Sequence, residues 1–220
     1  MHLVIGTTNL AKGRELAELL QPFGFHVGTL QDFPSAIEVV EDGDTFAANA
    51  RKKASEQAKH LGCWVLADDS GLEVDAIQGA PGIYSARYAA ETGGAAETGG
   101  KRAGDAKNNA KLLNDLQGTV WERRGAGYRC HVAVADPSGA LRVESSGVCR
   151  GRIRLEGSGT NGFGYDPLFE VREYHQTFGQ LGPNVKRILS HRGRAMRAIV
   201  PKLVQLASSE AWQTKMCVKT

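Results

Sequence analysis

The stretch WVLADDSGLEVDAIQGAPGIYSARYA, residues 64–89, carries the most information about the fold of this chain. Residues 64–67 form a short apolar run bounded by polar residues and glycine, which predicts a buried strand of a parallel or mixed sheet. We expect this strand to end at Asp68 and Asp69, at the carboxyl edge of the sheet, where open α/β sheets bind ligands. Strand alternation then gives the two carboxylates opposite faces and different roles. The alternative is an Asp-rich turn in which Gly71 takes a special backbone conformation.

Segments on either side of this stretch alternate between strand-like and helix-like patterns, which predicts an α/β architecture. The run HLVIG at residues 2–6 indicates a strand, and residues 9–24 indicate a helix capped by Thr8 or Asn9. A second helix is expected to begin at Asp44 or Thr45 and to end at Gly62.

The composition is that of a globular domain. The 220 residues are 41% hydrophobic, enough for a substantial core in a single domain. No apolar run approaches the about 20 residues that span a bilayer, and the opening MHLVIGTT has no basic leader, so we expect a cytoplasmic protein without a membrane partner. Basic runs are short, which predicts no nucleic-acid partner.

The four cysteines are widely spaced, so we expect reduced thiols rather than a zinc site or a disulfide framework.

The turn GTTNLAK, residues 6–12, joins the first strand to the first helix. Such a turn offers free backbone N–H groups and a positive helix end to a phosphate, and Lys12 adds a full charge. It is not a Walker loop, because Ala11 precedes the lysine and Gly13 follows it. The alternative is an ordinary helix cap with a surface lysine.

The second helix carries a polar stripe. Thr45, Asn49 and Lys53 are spaced i, i+4 and i+8, which places them on one helix face beside the acidic turn EDGD that begins with Glu41. This arrangement suits a groove that holds anions and a cation, whereas a solvated helix face is the alternative.

Two later segments have the residues of a nucleoside site. Residues 157–169, GSGTNGFGYDPLF, combine glycines with Phe163 and Tyr165, so they predict a stacking surface for a base. A β-bulge with core aromatics is the alternative. His191 and Arg192 follow a capping serine in the first turn of the last helix, where cations are disfavoured, so we expect an anionic or electron-rich partner for them.

Five ordered blocks resemble the Ham1/RdgB-type inosine triphosphate pyrophosphatase family. They are TTNLAK, EDGDTFAANARKKA, LADDSGLEVDAIQGAPGIYSARYA, GFGYDPLF and SHRGRA, and the match extends from residue 3 to about 198. The resemblance implies a two-lobed α/β fold with a long mixed β-sheet flanked by helices, a central substrate groove and a homodimer. It implies one two-lobed domain at residues 1–207, with 208–220 as a C-terminal tail. The glycine-rich residues 90–104 are expected to be a mobile loop.

The resemblance also implies an activity. Members of the family hydrolyse ITP, dITP and XTP to the monophosphate and pyrophosphate with Mg²⁺, which cleanses the nucleotide pool. Asp69 would be the catalytic base, and Glu41, Asp69 and Asp68 the metal ligands. The phosphate contacts implied are Thr7, Thr8, Asn9, Lys12, Lys53 and Lys186. Ser70 is implied as a further substrate contact, and the nucleoside contacts are Phe163, Gly164, Tyr165, Asp166, His191 and Arg192.

Two other functions are compatible with the same nucleotide pocket. One is a nucleotide-binding regulator without hydrolysis, and the other is a Maf-like pyrophosphatase for modified pyrimidine nucleotides. Glu41, Asp68 and Asp69 favour an enzyme over a regulator, because a polyphosphate binder would gain affinity by losing negative charge near its ligand. The chain departs from the family pattern at Gly157, Ser158 and Gln180.

Overall fold

The computed structural model describes residues 1–90 and 104–212. Seven strands form one mixed sheet in the order β2-β1-β3-β4-β5-β6-β7. The strands are β1 (His2–Ile5), β2 (His26–Thr29), β3 (Val65–Val74), β4 (Gly125–Ala135), β5 (Leu141–Ile153), β6 (Phe169–Val171) and β7 (Gln176–Thr177). The α-helices are α1 (Leu10–Leu20), α2 (Phe46–Leu61), α3 (Asp105–Asp115), α4 (Pro183–Leu189) and α5 (His191–Ala207). The α/β class is confirmed.

Strand pairing shows why the sheet is mixed. β1 is parallel to both β2 and β3, with Val4 opposite Val65 and Ile5 opposite Leu66. β6 is antiparallel to β5 and β7. The sheet therefore combines a parallel part, joined through helices, with an antiparallel part, as the resemblance implied.

The chain divides into two compact units. Unit 1 comprises Met1–Asp69, Cys130–Gly147 and Arg192–Thr220, and unit 2 comprises Ser70–Arg129 and Val148–His191. Their organisation as one two-lobed domain with a central groove stays a prediction. The expected mobile loop at residues 90–104, apart from its two end residues, and the part of the expected tail beyond residue 212 lie outside the described residues.

The core of unit 1 follows the alternation of β3. Trp64 and Leu66 pack in a cluster with residues of α1 and α5, whereas Val65 and Ala67 pack in a second cluster with residues of α2. The α2 contribution is a row of fully buried alanines at i, i+4 and i+8, namely Ala50, Ala54 and Ala58. Because alternate residues face different helices, Asp68 and Asp69, which come next, continue onto different faces.

Unit 2 has its own aromatic core. Phe169 and Phe178 are stacked with ring centroids 5.4 Å apart, and Tyr128 lies 4.7 Å from Phe169. Leu112 and Leu116 from the α3 region are fully buried against this group. The unit therefore buries its own apolar surface, which is the main stabilising contribution in a globular fold.

Side-chain caps begin the two helices that carry most of the predicted site in unit 1. Asn9 Oδ1 accepts hydrogen bonds from Ala11 N and Lys12 N at the start of α1. Thr45 Oγ1 accepts from Ala48 N at the start of α2, which ends where Gly62 adopts a φ of 63°. The predicted caps at Asn9, Thr45 and Gly62 are confirmed.

The predicted end of the strand at Asp68 and Asp69 is wrong. β3 continues for ten residues to Val74, so both carboxylates lie inside the strand rather than at its end. Apolar alternation resumes after the acids with Leu72 and Val74, both fully buried, which holds the segment in the sheet. The alternative of an Asp-rich turn is also wrong, because Gly71 lies within β3 and is not among the glycines with positive φ.

No helix in the described part of the chain combines the length and apolar character needed to cross a bilayer.

The expectation of reduced cysteines is wrong for Cys63, which is disulfide-bonded. Cys130 and Cys149 are buried and are not part of a disulfide bond. Wide spacing in the sequence carries no information on which cysteines approach each other in the fold, which is why this feature was missed.

Candidate active site

Glu41, Lys53 and Asp69 form a cluster in unit 1, which we call the carboxylate–lysine cluster. Lys53 Nζ lies 3.0 Å from Glu41 Oε2 and 3.1 Å from Asp69 Oδ1. Asn49 Nδ2 donates to the second oxygen of Asp69 at 3.3 Å. Asn49 and Lys53 of the polar stripe therefore face Asp69 rather than solvent, whereas Thr45 is exposed and caps the helix.

The turn that carries Glu41 is fastened to α2 by a glycine. Gly43 N donates to Asn49 Oδ1 at 2.8 Å. A Cβ on Gly43 would lie 2.7 Å from that oxygen and 2.8 Å from Ala48 Cβ, closer than side chains approach one another. Glycine thus allows the EDGD turn to close on the helix, which brings Glu41 within reach of Lys53.

The three charged groups of this cluster have different proton affinities. Burial raises the pKa of Asp69, and the Glu41 carboxylate adds to this rise although Lys53 and Lys12 oppose it. Burial also acts against ionised Glu41, but the Lys53 ammonium outweighs it and lowers the Glu41 pKa. Lys53 stays protonated, because Asp69 and Glu41 raise its pKa against the effect of burial. Asp69 is therefore the carboxylate of this cluster best suited to accept a proton.

Asp68 belongs to a second set of charges in unit 1, the Asp68 network of Lys12, Glu15, Asp68 and Arg192. Asp68 Oδ2 accepts from Arg192 Nε and Nη2, both at 3.2 Å, and lies 3.7 Å from Lys12 Nζ. Arg192 Nη1 also donates to Glu15 on α1. Burial opposes ionisation of Asp68, but Lys12 and Arg192 hold its pKa well below the usual range.

The two aspartates therefore have separate partners, as strand alternation predicted. Asp69 contacts residues of α2, whereas Asp68 contacts Arg192 of α5 and lies near Lys12 of α1. The prediction of an anionic partner for Arg192 is confirmed by Asp68 and Glu15. Its proposed nucleoside contact stays a prediction.

Glu15 was missed from the sequence. Its spacing of i+3 from Lys12 was the one available signal, since residues three apart share a helix face. The signal is weak, because such pairs are common on solvated helices and the buried partner is distant in sequence.

The turn before α1 has the local structure of an N-cap. Asn9 N donates to Thr7 Oγ1 at 3.2 Å, and Thr8 is exposed. Lys12 lies in the first turn of α1, and its side chain is 16% exposed. The N-cap interpretation is confirmed, whereas phosphate binding by Thr7, Thr8, Asn9 and Lys12 stays a prediction.

In unit 2, residues 163–166 form a loop that is fastened by a buried ion pair. Asp166 Oδ2 accepts from Lys186 Nζ at 2.6 Å and from Phe163 N at 2.8 Å. Lys186 Nζ also lies 4.5 Å from the centroid of the Phe163 ring. The Lys186 ammonium is therefore held between a carboxylate and an aromatic face. The predicted phosphate contact of Lys186 is untested.

The aromatic residues of this region have different environments. Tyr165 is buried and donates its hydroxyl to Ser85 O at 2.9 Å, so for this residue the alternative of a core aromatic is correct. Phe163 is only half-buried. His191 is buried and stacks on Tyr128 with ring centroids 4.6 Å apart, which supplies the electron-rich partner that we predicted.

Two further positions are Ser70, a predicted substrate contact, and Gln180, a departure from the family pattern. Ser70 follows Asp69 within β3 and is half-buried. Gln180 Oε1 accepts from Thr177 N at 3.0 Å. The amide oxygen of Gln180 therefore supplies a hydrogen-bond acceptor, as an acid at this position also would.

Comparisons with known proteins give matches along nearly the whole chain. The family model described as Ham1 family matches residues 3–202. A dITP/XTP pyrophosphatase of Rhodopirellula baltica is 52% identical over 95% of this chain and 96% of its own length. A dITP/XTP pyrophosphatase of Desulforamulus reducens is 48% identical over 94% and 97% of the two chains.

The solved structure of a HAM1 protein from Coxiella burnetii has a TM-score of 0.80 to this chain at 35% identity, and the match covers 93% of this chain and 99% of that one. Similarity extends over nearly the whole length in each case, including both units. The chain belongs to the Ham1 family.

Proposed function

We propose that this chain is a Mg²⁺-dependent nucleoside triphosphate pyrophosphohydrolase that converts ITP, dITP and XTP to the monophosphate and pyrophosphate. Membership of the Ham1 family and relatives named dITP/XTP pyrophosphatase support the reaction class. The observation that carries the proposal is the buried Asp69 carboxylate with a raised pKa, held by Lys53 and Asn49 beside Glu41. A carboxylate in this state suits a general base.

The residues of the carboxylate–lysine cluster fit a magnesium ion. Two carboxylates, Glu41 and Asp69, converge on one cationic group, the Lys53 ammonium. Within the described ranges no three His, Cys, Asp or Glu side chains form a metal site. One or two carboxylates with substrate phosphates are the usual ligands of Mg²⁺. When bound there, Mg²⁺ would neutralise phosphate charge that otherwise repels the nucleophile.

The protein residues have distinct tasks in the proposed hydrolysis. Asp69 takes a proton from a water molecule whose oxygen attacks phosphorus in the anhydride between the α and β phosphates. The P–O bond of that anhydride breaks, and pyrophosphate leaves. Asn49 and Lys53 hold the two oxygens of Asp69 and so orient it. The pyrophosphate that leaves is balanced by the positive charges of Lys12 and Lys53.

We assign Asp68 mainly a supporting part. Its strong ion pair with Arg192 and its lowered pKa leave it a poor proton acceptor. Asp68 fixes the positions of two cations, Lys12 and Arg192. We also propose that Asp68 contacts the metal directly.

The nucleoside would be recognised by unit 2. The half-buried Phe163 ring offers a stacking face, and His191 offers a ring N–H group. Inosine and xanthine carry a 6-oxo acceptor where adenine carries an amino donor, so buried donors favour the oxo bases. Each donor left unpaired by adenine costs about 1–3 kcal/mol.

One experiment tests the proposed function. Purified protein is incubated with Mg²⁺ and a panel of ITP, dITP, XTP, ATP, GTP and UTP, and the products are separated by chromatography. We expect monophosphate and pyrophosphate from ITP, dITP and XTP, and loss of turnover when EDTA removes the metal. Diphosphate and phosphate would contradict the cleavage site. No turnover would favour a regulator, and preference for modified pyrimidine nucleotides would favour a Maf-like enzyme.

We also propose that the protein acts as a homodimer in the cytoplasm, where its nucleotide substrates are found. The mass in solution, measured by light scattering after gel filtration, tests the dimer. A monomer at micromolar concentration would contradict it. We propose no nucleic-acid or membrane partner.

A further inference from the structure

The first two turns of α3 hold Gly164 from both sides. Asp105 Oδ2 accepts from Gly164 N at 2.6 Å, and Asn109 Nδ2 donates to Gly164 O at 3.1 Å. Asp105 and Asn109 are spaced i, i+4, so they share one face of the helix. We call this pair the α3 clamp. Both backbone polar groups of one loop residue are thus bonded to the same helix face.

The clamp acts on a residue with unusual backbone geometry. Gly164 has a φ of 63°, in the left-handed region that favours glycine. No atom lies within 4 Å of the place where a Cβ would stand, so the constraint is conformational rather than spatial. Because the clamp fixes the N–H and the C=O of Gly164, it fixes the two peptide planes on either side of its Cα.

The rest of the loop is anchored independently of α3. Tyr165 is tied through its hydroxyl to Ser85, and Asp166 is tied to Lys186. Phe163 immediately precedes the clamped residue and has a half-buried ring. Phe163 N donates to Asp166, and the Lys186 ammonium contacts the ring. The clamped peptide between Phe163 and Gly164 acts together with these contacts in setting the angle at which the ring is presented.

The side-chain amide of Asn109 is part of the contact between α3 and the loop, where its Nδ2 donates to Gly164 O. The bond that Asn109 donates to Gly164 is what distinguishes it from an alanine.

We propose that Asp105 and Asn109 are positioning residues that set the Phe163 ring for stacking on the purine base. They act through the loop and do not touch the substrate. The inference rests on the proposed function in taking a purine nucleotide as the ligand. It adds residues from α3, outside the sequence blocks that carried the family resemblance, to the determinants of base affinity.

The test compares wild type with the double variant Asp105→Ala/Asn109→Ala. Three quantities are measured: kcat and KM for dITP, the calorimetric Kd for deoxyinosine monophosphate, and the inhibition constant of inorganic tripolyphosphate. Loss of base stacking predicts an about tenfold rise in KM and in that Kd, with kcat changed by less than about threefold. Tripolyphosphate has no base, so its inhibition constant is expected to stay unchanged.

Two matched variants complete the test. Asp105→Asn keeps an oxygen acceptor for Gly164 N, so it should keep a KM close to that of wild type. Lys107→Ala, at an exposed position of the same helix, should change nothing. Thermal unfolding of each variant establishes that the fold is intact.

The outcomes separate this inference from the proposed function. A double variant with wild-type KM and Kd overturns the inference, and so does an equal weakening of tripolyphosphate inhibition, because that would indicate a general structural effect. If the wild type binds deoxyinosine monophosphate but does not hydrolyse dITP, the proposed function fails and the Kd values alone decide the role of the clamp. A wild type that does not bind the monophosphate overturns the inference.

Discussion

The two predicted site regions differ in how their polar groups are held. In unit 1, eight charged or amide side chains meet in the carboxylate–lysine cluster with Asn49 and in the Asp68 network, and most are buried. In unit 2, the 163–166 loop is held by the buried Asp166–Lys186 ion pair and by hydrogen bonds to and from its backbone. Dense charge suits proton transfer and phosphate binding, whereas a fixed loop with few charged groups suits recognition of a flat base.

This difference predicts a division of kinetic effects. Substitutions in the carboxylate–lysine cluster should reduce kcat, because they remove groups that act on the reacting atoms. Substitutions in the 163–166 loop should raise KM, because they weaken binding of the base.

The largest effect is expected for Asp69→Asn. The amide cannot take a proton from water, so kcat for dITP should fall by about 10²–10⁴. Pyrophosphate release measures the rate, and Asp42→Asn is the matched control, since Asp42 is an exposed acid in the same turn as Glu41. A kcat near that of wild type would remove Asp69 from the role of base.

The variant Asp68→Asn tests whether Asp68 contributes to the stability of unit 1 or to the reaction. The change leaves the buried Arg192 guanidinium without its full countercharge, which should lower the free energy of unfolding by about 3–5 kcal/mol. Urea denaturation gives this value. If the variant keeps wild-type stability but loses turnover, Asp68 acts mainly in the reaction, and our assignment of a mainly supporting part is wrong.

The variant Phe163→Ala tests the expectation that substitutions in unit 2 raise KM. Loss of a stacking face should raise KM for dITP by about tenfold, equivalent to roughly 1–3 kcal/mol of binding, with little change in kcat. Tyr165→Phe is the matched variant, because it removes only the buried bond to Ser85. We expect it to lower stability while KM stays the same. The opposite pattern would make Tyr165 the stacking residue.

The smallest effect is expected on the surface of unit 1, at Glu144. Hydrogen bonds from Arg51 and then from His131 lower the pKa of Glu144 to about 2 from 4.5. The Glu144 side chain is 42% exposed, so its pairing should contribute only about 0.2–1 kcal/mol. This stabilisation is present above pH 4.5 and is lost as the pH falls through about 2.

The measurement at Glu144 compares Glu144→Gln with wild type by urea denaturation at neutral and at acid pH. The difference between the two proteins should shrink in acid. Glu38→Gln, at another exposed position of unit 1, is the control. A difference that grows in acid would contradict the sign of the effect.

Helix positions were predictable because their signals are local. Asn9 and Thr45 bond to backbone groups within three residues, and the i, i+4 spacing of Asn49 and Lys53 places both on one face without knowledge of the rest of the chain. Family motifs then supplied the acids that face this stripe.

Features that depend on distant partners could not be predicted in the same way. β3 extends past its two aspartates because they are compensated by cations from α1, α2 and α5, each of which lies at least 16 residues away in the sequence. For the same reason Glu15 and the α3 clamp escaped notice, since their partners Arg192 and Gly164 lie 177 and 55 to 59 residues away.

Because β3 is continuous through Asp68 and Asp69, the number of residues before them in the strand decides which carboxylate faces Lys53. Deleting or inserting one residue between Val65 and Ala67 would exchange the faces of the two acids, so that the wrong carboxylate would meet Lys53. Such a change alters no side chain of the site, yet it should be more damaging than many point substitutions. The number of residues in this strand should therefore stay constant in any engineered variant.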